Sequence, residues 1–247
     1  MESRDDGRAA SPPRPRACIF DLDGTLIDSE PNYFASDRAF LARYGIDFTE
    51  EFSRSVMGRG SADIMRLFKE LYPGNPFTAF PVEEMMAMRD NYYIEYAIGR
   101  TRSFPVMVEL VEFLSRAGLP LGLASGSSPA VISASLEATG LARHFPVVVS
   151  AGEVPRGKPE PGIFLETAKR MGMEPGACLV FEDSLNGLLA AKAARMRCVV
   201  LPAPGSDLAP FLPADLVVEG GPEAAVLGDL LALALGNSPW PTEGVAP

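Results

Sequence analysis

Six short apolar runs recur along the chain: ACIF (17–20), PLGLA (120–124), PVVVS (146–150), CLVF (178–181), CVVL (198–201) and DLVV (215–218). Runs of this length bounded by polar residues predict buried strands. Most of the intervals between them repeat apolar residues with helical spacing. In VMVELVEFLSRAG, Val106, Leu110, Val111, Phe113 and Leu114 form one wide face, and Gly118 ends the helix. SPAVISASLEATG opens with Ser128 as an N-cap and Pro129 at the first helical position. KPEPGIFLETAKRMG and DSLNGLLAAKAARM follow the same plan, and PEAAVLGDLLALALG predicts a closing helix. Strands alternating with helices build βα units. The fold class expected is α/β, a Rossmann-like parallel sheet with helices on both faces.

One interval breaks the alternation. From Ser29 to Thr101 no buried-strand run occurs, and NYFASDRAFLARYG, SADIMRLFKELY and PVEEMMAMRDNYYIEYAIG all carry helical patterns. An inserted helical cap domain over 29–101 is expected, joined by two linkers to a core made of 17–28 and 102–235. Met85, Met86, Met88, Tyr92 and Tyr93 are expected to fill the core of that cap. Residues 1–16, polar and rich in Pro and Arg, are expected to be a disordered tail. Residues 236–247, with turn composition and no period, are expected to be a second tail.

Composition narrows the function. The chain has 247 residues, 47% of them hydrophobic, and a net charge of −10. That charge, with no strongly basic stretch, argues against a nucleic-acid partner. No apolar run approaches the roughly 20 residues of a membrane span, and the N-terminal stretch has no apolar segment of a secretory signal. Cys18, Cys178 and Cys198 are far apart, each in an apolar run, and form no CxxC pair. They are expected to be reduced core residues of a cytoplasmic, monomeric protein. His144 is the only histidine. A histidine-based metal cluster is thereby excluded, and His144 is expected to be structural.

The candidate chemistry gathers where the runs end. Open parallel sheets bind ligands at the carboxyl ends of their strands. Asp21 and Asp23 follow ACIF, Ser125 follows PLGLA, Lys158 lies in the loop after PVVVS, and Glu182 and Asp183 follow CLVF. In an extended chain, residues i and i+2 face one side, so the charges of Asp21 and Asp23 need compensation. Several carboxylates at one point call for a hard divalent cation, and Mg²⁺ takes few carboxylates plus phosphate oxygens. Lys158 and Ser125 can hold those oxygens. Asp21 can attack phosphorus, while Asp23 protonates the leaving oxygen and later takes a proton from water. Other motifs fail. GEVPRGKP (152–159) has Pro159 where a Walker A loop needs Ser or Thr. GLASG (122–126) is not a nucleophile elbow, and MGRGSAD (57–63) lacks the third glycine of a dinucleotide fingerprint.

These residues resemble the haloacid dehalogenase superfamily. DLDGT is similar to its first motif, Ser125 to its second, Lys158 in GKPEP to its third and FEDS (181–184) to its fourth. The likeness runs over about residues 17 to 220. The helical insert resembles the cap of the β-phosphoglucomutase-like branch. LIDSEP and AARMRCVVLPAP are similar to bacterial sugar-phosphate phosphatases of the 2-deoxyglucose-6-phosphatase type. The resemblance implies Asp21 as nucleophile and Asp23 as acid/base. It implies Mg²⁺ held by Asp21, the backbone carbonyl of Asp23 and Asp183, with Glu182 nearby. Ser125, Gly126 and Lys158 would bind the phosphate of a small phosphorylated substrate, and Arg59 of the cap would read the rest of it. Mutases of the branch carry a histidine at the place of Tyr33 and an arginine near that of Ser61, so hydrolysis is expected before phosphate migration. A phosphosugar mutase, or a silent binding protein on the same fold, is the alternative.

Overall fold

The run ACIF forms β1 (Ala17–Phe20), with every residue buried. Alternate side chains serve opposite faces: Cys18 and Phe20 enter one apolar cluster, Ala17 and Ile19 the other. The structure, a computed structural model, describes residues 14–56 and 59–237. Around β1 lie β4 (Leu121–Ser125), β5 (Val147–Ser150), β6 (Cys178–Glu182), β7 (Arg197–Val200) and β8 (Leu216–Val217), in the order β5-β4-β1-β6-β7-β8. All neighbours in this sheet are parallel. The chain winds outward from β1 to β5, then returns to the other side of β1 for β6, so the order reverses at β1. A crevice opens at the carboxyl ends where such a sheet reverses.

Two layers of helices cover the sheet. α5 (Pro105–Arg116), α6 (Pro129–Ala138) and α9 (Leu227–Ala234) bury Leu110, Ile132 and Leu230 against one face. α7 (Gly162–Arg170) and α8 (Leu185–Ala193) bury Phe164 and Leu188 against the other. Phe20 and Phe181, on adjacent strands, stack with centroids 4.8 Å apart, a pair worth about 0.5–1.5 kcal/mol beyond its buried area.

Between the first two core strands the chain leaves and returns through a short antiparallel pair, β2 (Ile27–Asp28) and β3 (Arg102–Ser103). The insert holds α1 (Glu30–Ala42), α2 (Glu50–Val56), α3 (Ser61–Leu71) and α4 (Val82–Ala97). It has its own apolar core, with Phe40, Phe48, Phe68, Phe77 and Met85 all buried. Arg89 of α4 holds Asp37 of α1 by two hydrogen bonds of 2.7 Å. Tyr93 departs from expectation. It leaves the core of the insert and packs, with Ala97, against Val131 of α6, so it forms part of the seat of the insert on the sheet domain.

The ends also differ from expectation. Residues 14–16 are ordered against the core, where the Arg16 N–H donates to Ala177 O at 2.8 Å; residues 1–13 lie outside the described residues. Gly236 and Asn237 donate their N–H groups to Leu233 O and Ala232 O and so finish α9. Residues 238–247 lie outside the description. Among the described residues no helix is long and apolar enough to cross a membrane.

Candidate active site

Asp21 follows the last residue of β1, and its N–H donates to Phe181 O at 2.9 Å. Lys158 reaches it from the loop after β5. The Lys158 ammonium donates to Asp21 Oδ1 at 2.5 Å, to Glu182 Oε1 at 2.6 Å and to Ala124 O at 3.1 Å. All three of its protons are thus used, and the ion pairs hold its charge well above the usual lysine range despite burial. Burial pushes the Asp21 carboxyl up to about 8, with Glu182 and Asp23 adding to the rise and Lys158 opposing it. Asp183, beside them, is driven well above the carboxylate range by burial and by the charges of Glu182 and Asp21.

Glu182, the last residue of β6, is 1% exposed. Its Oε2 accepts from Asp183 N at 2.9 Å, Ser184 N at 2.8 Å and Ser184 Oγ at 2.9 Å. Ser184 is the N-cap of α8, its Oγ accepting from Gly187 N at 3.0 Å. The carboxylate therefore sits on the amino end of a helix, whose dipole favours it. Burial raises the Glu182 carboxyl, but Lys158 and these donors hold it below its ordinary value. Two glycines make room for the acids. A Cβ on Gly187 would fall 1.8 Å from the Glu182 carboxyl carbon, and one on Gly24 (φ +79°) would fall 2.3 Å from Asp183 Oδ2.

Asp23 does not continue the strand. The chain turns after Asp21, with Leu26 N and Ile27 N both bonded to Leu22 O. This corrects the expectation of an extended stretch, and the two aspartates serve different partners. Asp23 Oδ1 accepts from Ser29 Oγ at 2.7 Å, and Oδ2 from Ser127 Oγ at 2.7 Å and Ser125 Oγ at 3.4 Å. Ser29 and Ser127 were not singled out from the sequence. The serine-rich SGSS after PLGLA and the serine of LIDSEP were the available signals.

Ser125 ends β4 fully buried, its Oγ accepting from Ser127 N at 3.0 Å. Gly126 follows at the surface, with open space where a Cβ would be. The structure thus brings Asp21, Asp23, Ser125, Lys158, Glu182 and Asp183 to one crevice. Arg59 is exposed between α2 and α3 of the insert, and its side chain makes no hydrogen bond or ion pair among the described residues. His144 lies away from this crevice, its Nε2 accepting from Arg143 Nε at 3.0 Å. The three cysteines are buried and free.

The donor set fits a hard divalent ion. Asp21, Glu182 and Asp183 each offer an oxygen, all within 4.8 Å of one another. Among the described residues one ammonium is bonded to them, shared between Asp21 and Glu182, so with all three acids ionised negative charge is in excess. Oxygen-only ligands are the preference of Mg²⁺.

Sequence comparison matches residues 15–195 to the haloacid dehalogenase-like hydrolase family. The chain belongs to that family. This hydrolase is 34% identical over 203 residues to hexitol phosphatase B of Escherichia coli K12, covering 81% of this chain and 90% of that one. CbbY of Rhodobacter sphaeroides, solved with phosphate, superposes with a TM-score of 0.77 at 25% identity, over 87% of this chain and 99% of that one. A β-phosphoglucomutase of Clostridium difficile superposes at 0.72, also 25% identical, over 90% and 98%. The hydrolase sits in the β-phosphoglucomutase-like branch, and it is an enzyme of the phosphoric monoester hydrolase type.

Proposed function

We propose that this hydrolase is a Mg²⁺-dependent phosphomonoesterase that acts on small sugar phosphates through a phosphoryl group carried on Asp21. The observation that carries the reading is the meeting of Asp21 with Lys158, Glu182 and Asp183 at the carboxyl ends of the adjacent strands β1 and β6. Lys158 takes Asp21 Oδ1, and among the described residues Oδ2 has no hydrogen-bond partner and is free to attack phosphorus. As its bond to phosphorus forms, the bond to the substrate oxygen breaks, and Asp23 gives that oxygen a proton. Water then attacks the phosphorus, Asp23 takes its proton, and the Asp21 carboxylate is released. Ser125 and the Gly126 N–H would hold the phosphoryl oxygens, and Lys158 would join them by turning one proton away from its present acceptors. Held by Asp21, the Asp23 carbonyl and Asp183, with Glu182 nearby, Mg²⁺ would supply charge neutralisation for the dianion.

The small-sugar assignment is supported by the name of the hexitol phosphatase relative and by the cap. Arg89, a cation near the seat, is held by Asp37 and not free for a second anionic group. Arg59 remains the cap residue proposed to read the sugar. Hydrolysis is favoured over migration because Tyr33 and Ser61 stand in place of the mutase pair. The free buried cysteines suit a reducing compartment such as the cytoplasm, and one chain supplies every group invoked, so a monomer suffices. The test is a panel of phosphomonoesters plus β-glucose 1-phosphate, with and without Mg²⁺, followed by ³¹P NMR. Free phosphate from hexose and hexitol phosphates is expected. Glucose 6-phosphate without free phosphate would replace the reading with a mutase, and full activity in EDTA would remove the metal.

A further inference from the structure

Asp23 is tied to the cap by a route that proton counting makes directional. Ser127 Oγ has one proton, and it goes to Asp23 Oδ2 at 2.7 Å. Tyr33 Oη lies 3.0 Å from the same Ser127 Oγ. Ser127 has no second proton to give, so the tyrosine donates. The order is Tyr33 O–H to Ser127 Oγ, then Ser127 O–H to Asp23.

The rest of Ser127 is already fixed. Its N–H is held by Ser125 Oγ at 3.0 Å, and its carbonyl accepts from Ser150 Oγ at 2.7 Å. The remaining freedom is rotation of the hydroxyl, and the Tyr33 contact removes it. Tyr33 is itself held: its ring stacks on Tyr93 at 4.1 Å and 15°, and the Arg89 guanidinium sits over it at 5.4 Å. Burial and the Asp23 charge push its phenol well above the usual range, so it keeps its proton. Ser29 and Ser125 bind Asp23 from the linker and the sheet; Tyr33, on α1, reaches it from the cap.

We infer that Tyr33 is a positioning residue for the acid/base of this enzyme, acting through Ser127 to fix the direction of the Asp23 carboxylate. The inference rests on the phosphomonoesterase reading. Protonation of the leaving oxygen is then the step that suffers when Tyr33 Oη is removed. That step matters for an alkoxide leaving group and little for p-nitrophenolate.

The experiment uses full-length Tyr33→Phe, Ser127→Ala and the double variant, with glucose 6-phosphate and p-nitrophenyl phosphate as substrates. Tyr33→Phe keeps the ring stack, and Ser127→Ala gives a second variant outside the cap. Each single change is expected to lower kcat on glucose 6-phosphate by about 10-fold, a part of the roughly 10²–10⁴-fold that acid/base assistance supplies, since Asp23 itself remains. On p-nitrophenyl phosphate the loss is expected to stay under about 3-fold, with KM little changed. The double variant should be no worse than the weaker single, because one hydroxyl acts through the other. Equal losses on both substrates, or losses that multiply, would overturn the inference. Wild-type enzyme inert towards both substrates with Mg²⁺ would instead sink the phosphatase reading. Active wild type with an unaffected Tyr33→Phe would remove the positioning role alone.

Discussion

Gly187→Ala sets two effects of opposite sign against each other. Helix propensity alone favours the change, since Ala is about 0.8–1 kcal/mol better than Gly inside a helix. Sterics oppose it. The new Cβ would fall 1.8 Å from both the carboxyl carbon and Oε1 of Glu182, and 2.4 Å from Oε2. Glu182 cannot step aside cheaply, being 1% exposed and held by three donors on Oε2 and by Lys158 on Oε1. Losing two of these charged hydrogen bonds, at about 1.5–3 kcal/mol each, costs about 3–6 kcal/mol. The net is a destabilisation of about 2–5 kcal/mol. At about 2–4 °C per kcal/mol for a domain of this size, Tm should drop by about 4–20 °C. Scanning calorimetry on wild type and variant in metal-free buffer measures it, with phosphate release read in parallel. Gly228→Ala in α9 is the control, since its Cβ would meet nothing within 4 Å; it should leave Tm level or slightly raised. A Gly187→Ala protein as stable as wild type, with activity within twofold, would refute the assignment of the glycine to the close approach of Glu182.

Asp21→Asn should abolish turnover, by at least about 10³-fold for loss of a covalent nucleophile, while the protein still melts cooperatively; turnover at the wild-type rate would refute covalent catalysis at Asp21. Metal should matter to stability as well as to rate. With its folded carboxyl pushed up to about 8, metal-free Asp21 holds a proton that the unfolded chain releases, and Asp183 is shifted the same way. That contribution is fully present below the ordinary carboxylate range and is lost as pH rises through about 8. Glu182, shifted down, contributes above the carboxylate range and does not change between pH 6 and 8. Mg²⁺ should therefore raise Tm more at pH 8 than at pH 6, and equal or reversed increments would count against a metal bound between these acids.

What could be read from the chain differed by element for physical reasons. β1 coincides with the apolar run 17–20 because both neighbours of that strand are strands, and its burial leaves no polar interruption. PLGLA was displaced by one residue: the strand begins at Leu121, after Pro120, and takes in Ser125, which pairs with Ser150. β2 and β3 carried no signal, since two-residue strands have no period and pair only because folding brings the linkers together. Tyr93 has the same helical spacing as its neighbours in α4, and spacing cannot say which of two apolar surfaces an aromatic residue meets. At the site, the acids and Lys158 stood out because charge at the end of an apolar run is costly unless used. Ser29 and Ser127 did not. Their partner is the same carboxylate, but they lie 6 and 104 residues from it in sequence and meet only in three dimensions.

The small β2–β3 ladder has an engineering consequence. Asp28, where the chain leaves the sheet domain, pairs directly with Arg102, where it returns. Opposed residues of an antiparallel pair stand only about 4.5–5.5 Å apart. To the rest of the chain, the 73 positions between them (29–101) therefore span almost no distance. A two-residue turn of the Asn-Gly kind could close that gap, leaving the flanking backbone undisturbed. So could any other insert whose two termini emerge side by side. The junction is in this sense a socket: caps of different size could be exchanged at Asp28 and Arg102 while the register of the six-stranded sheet stays the same.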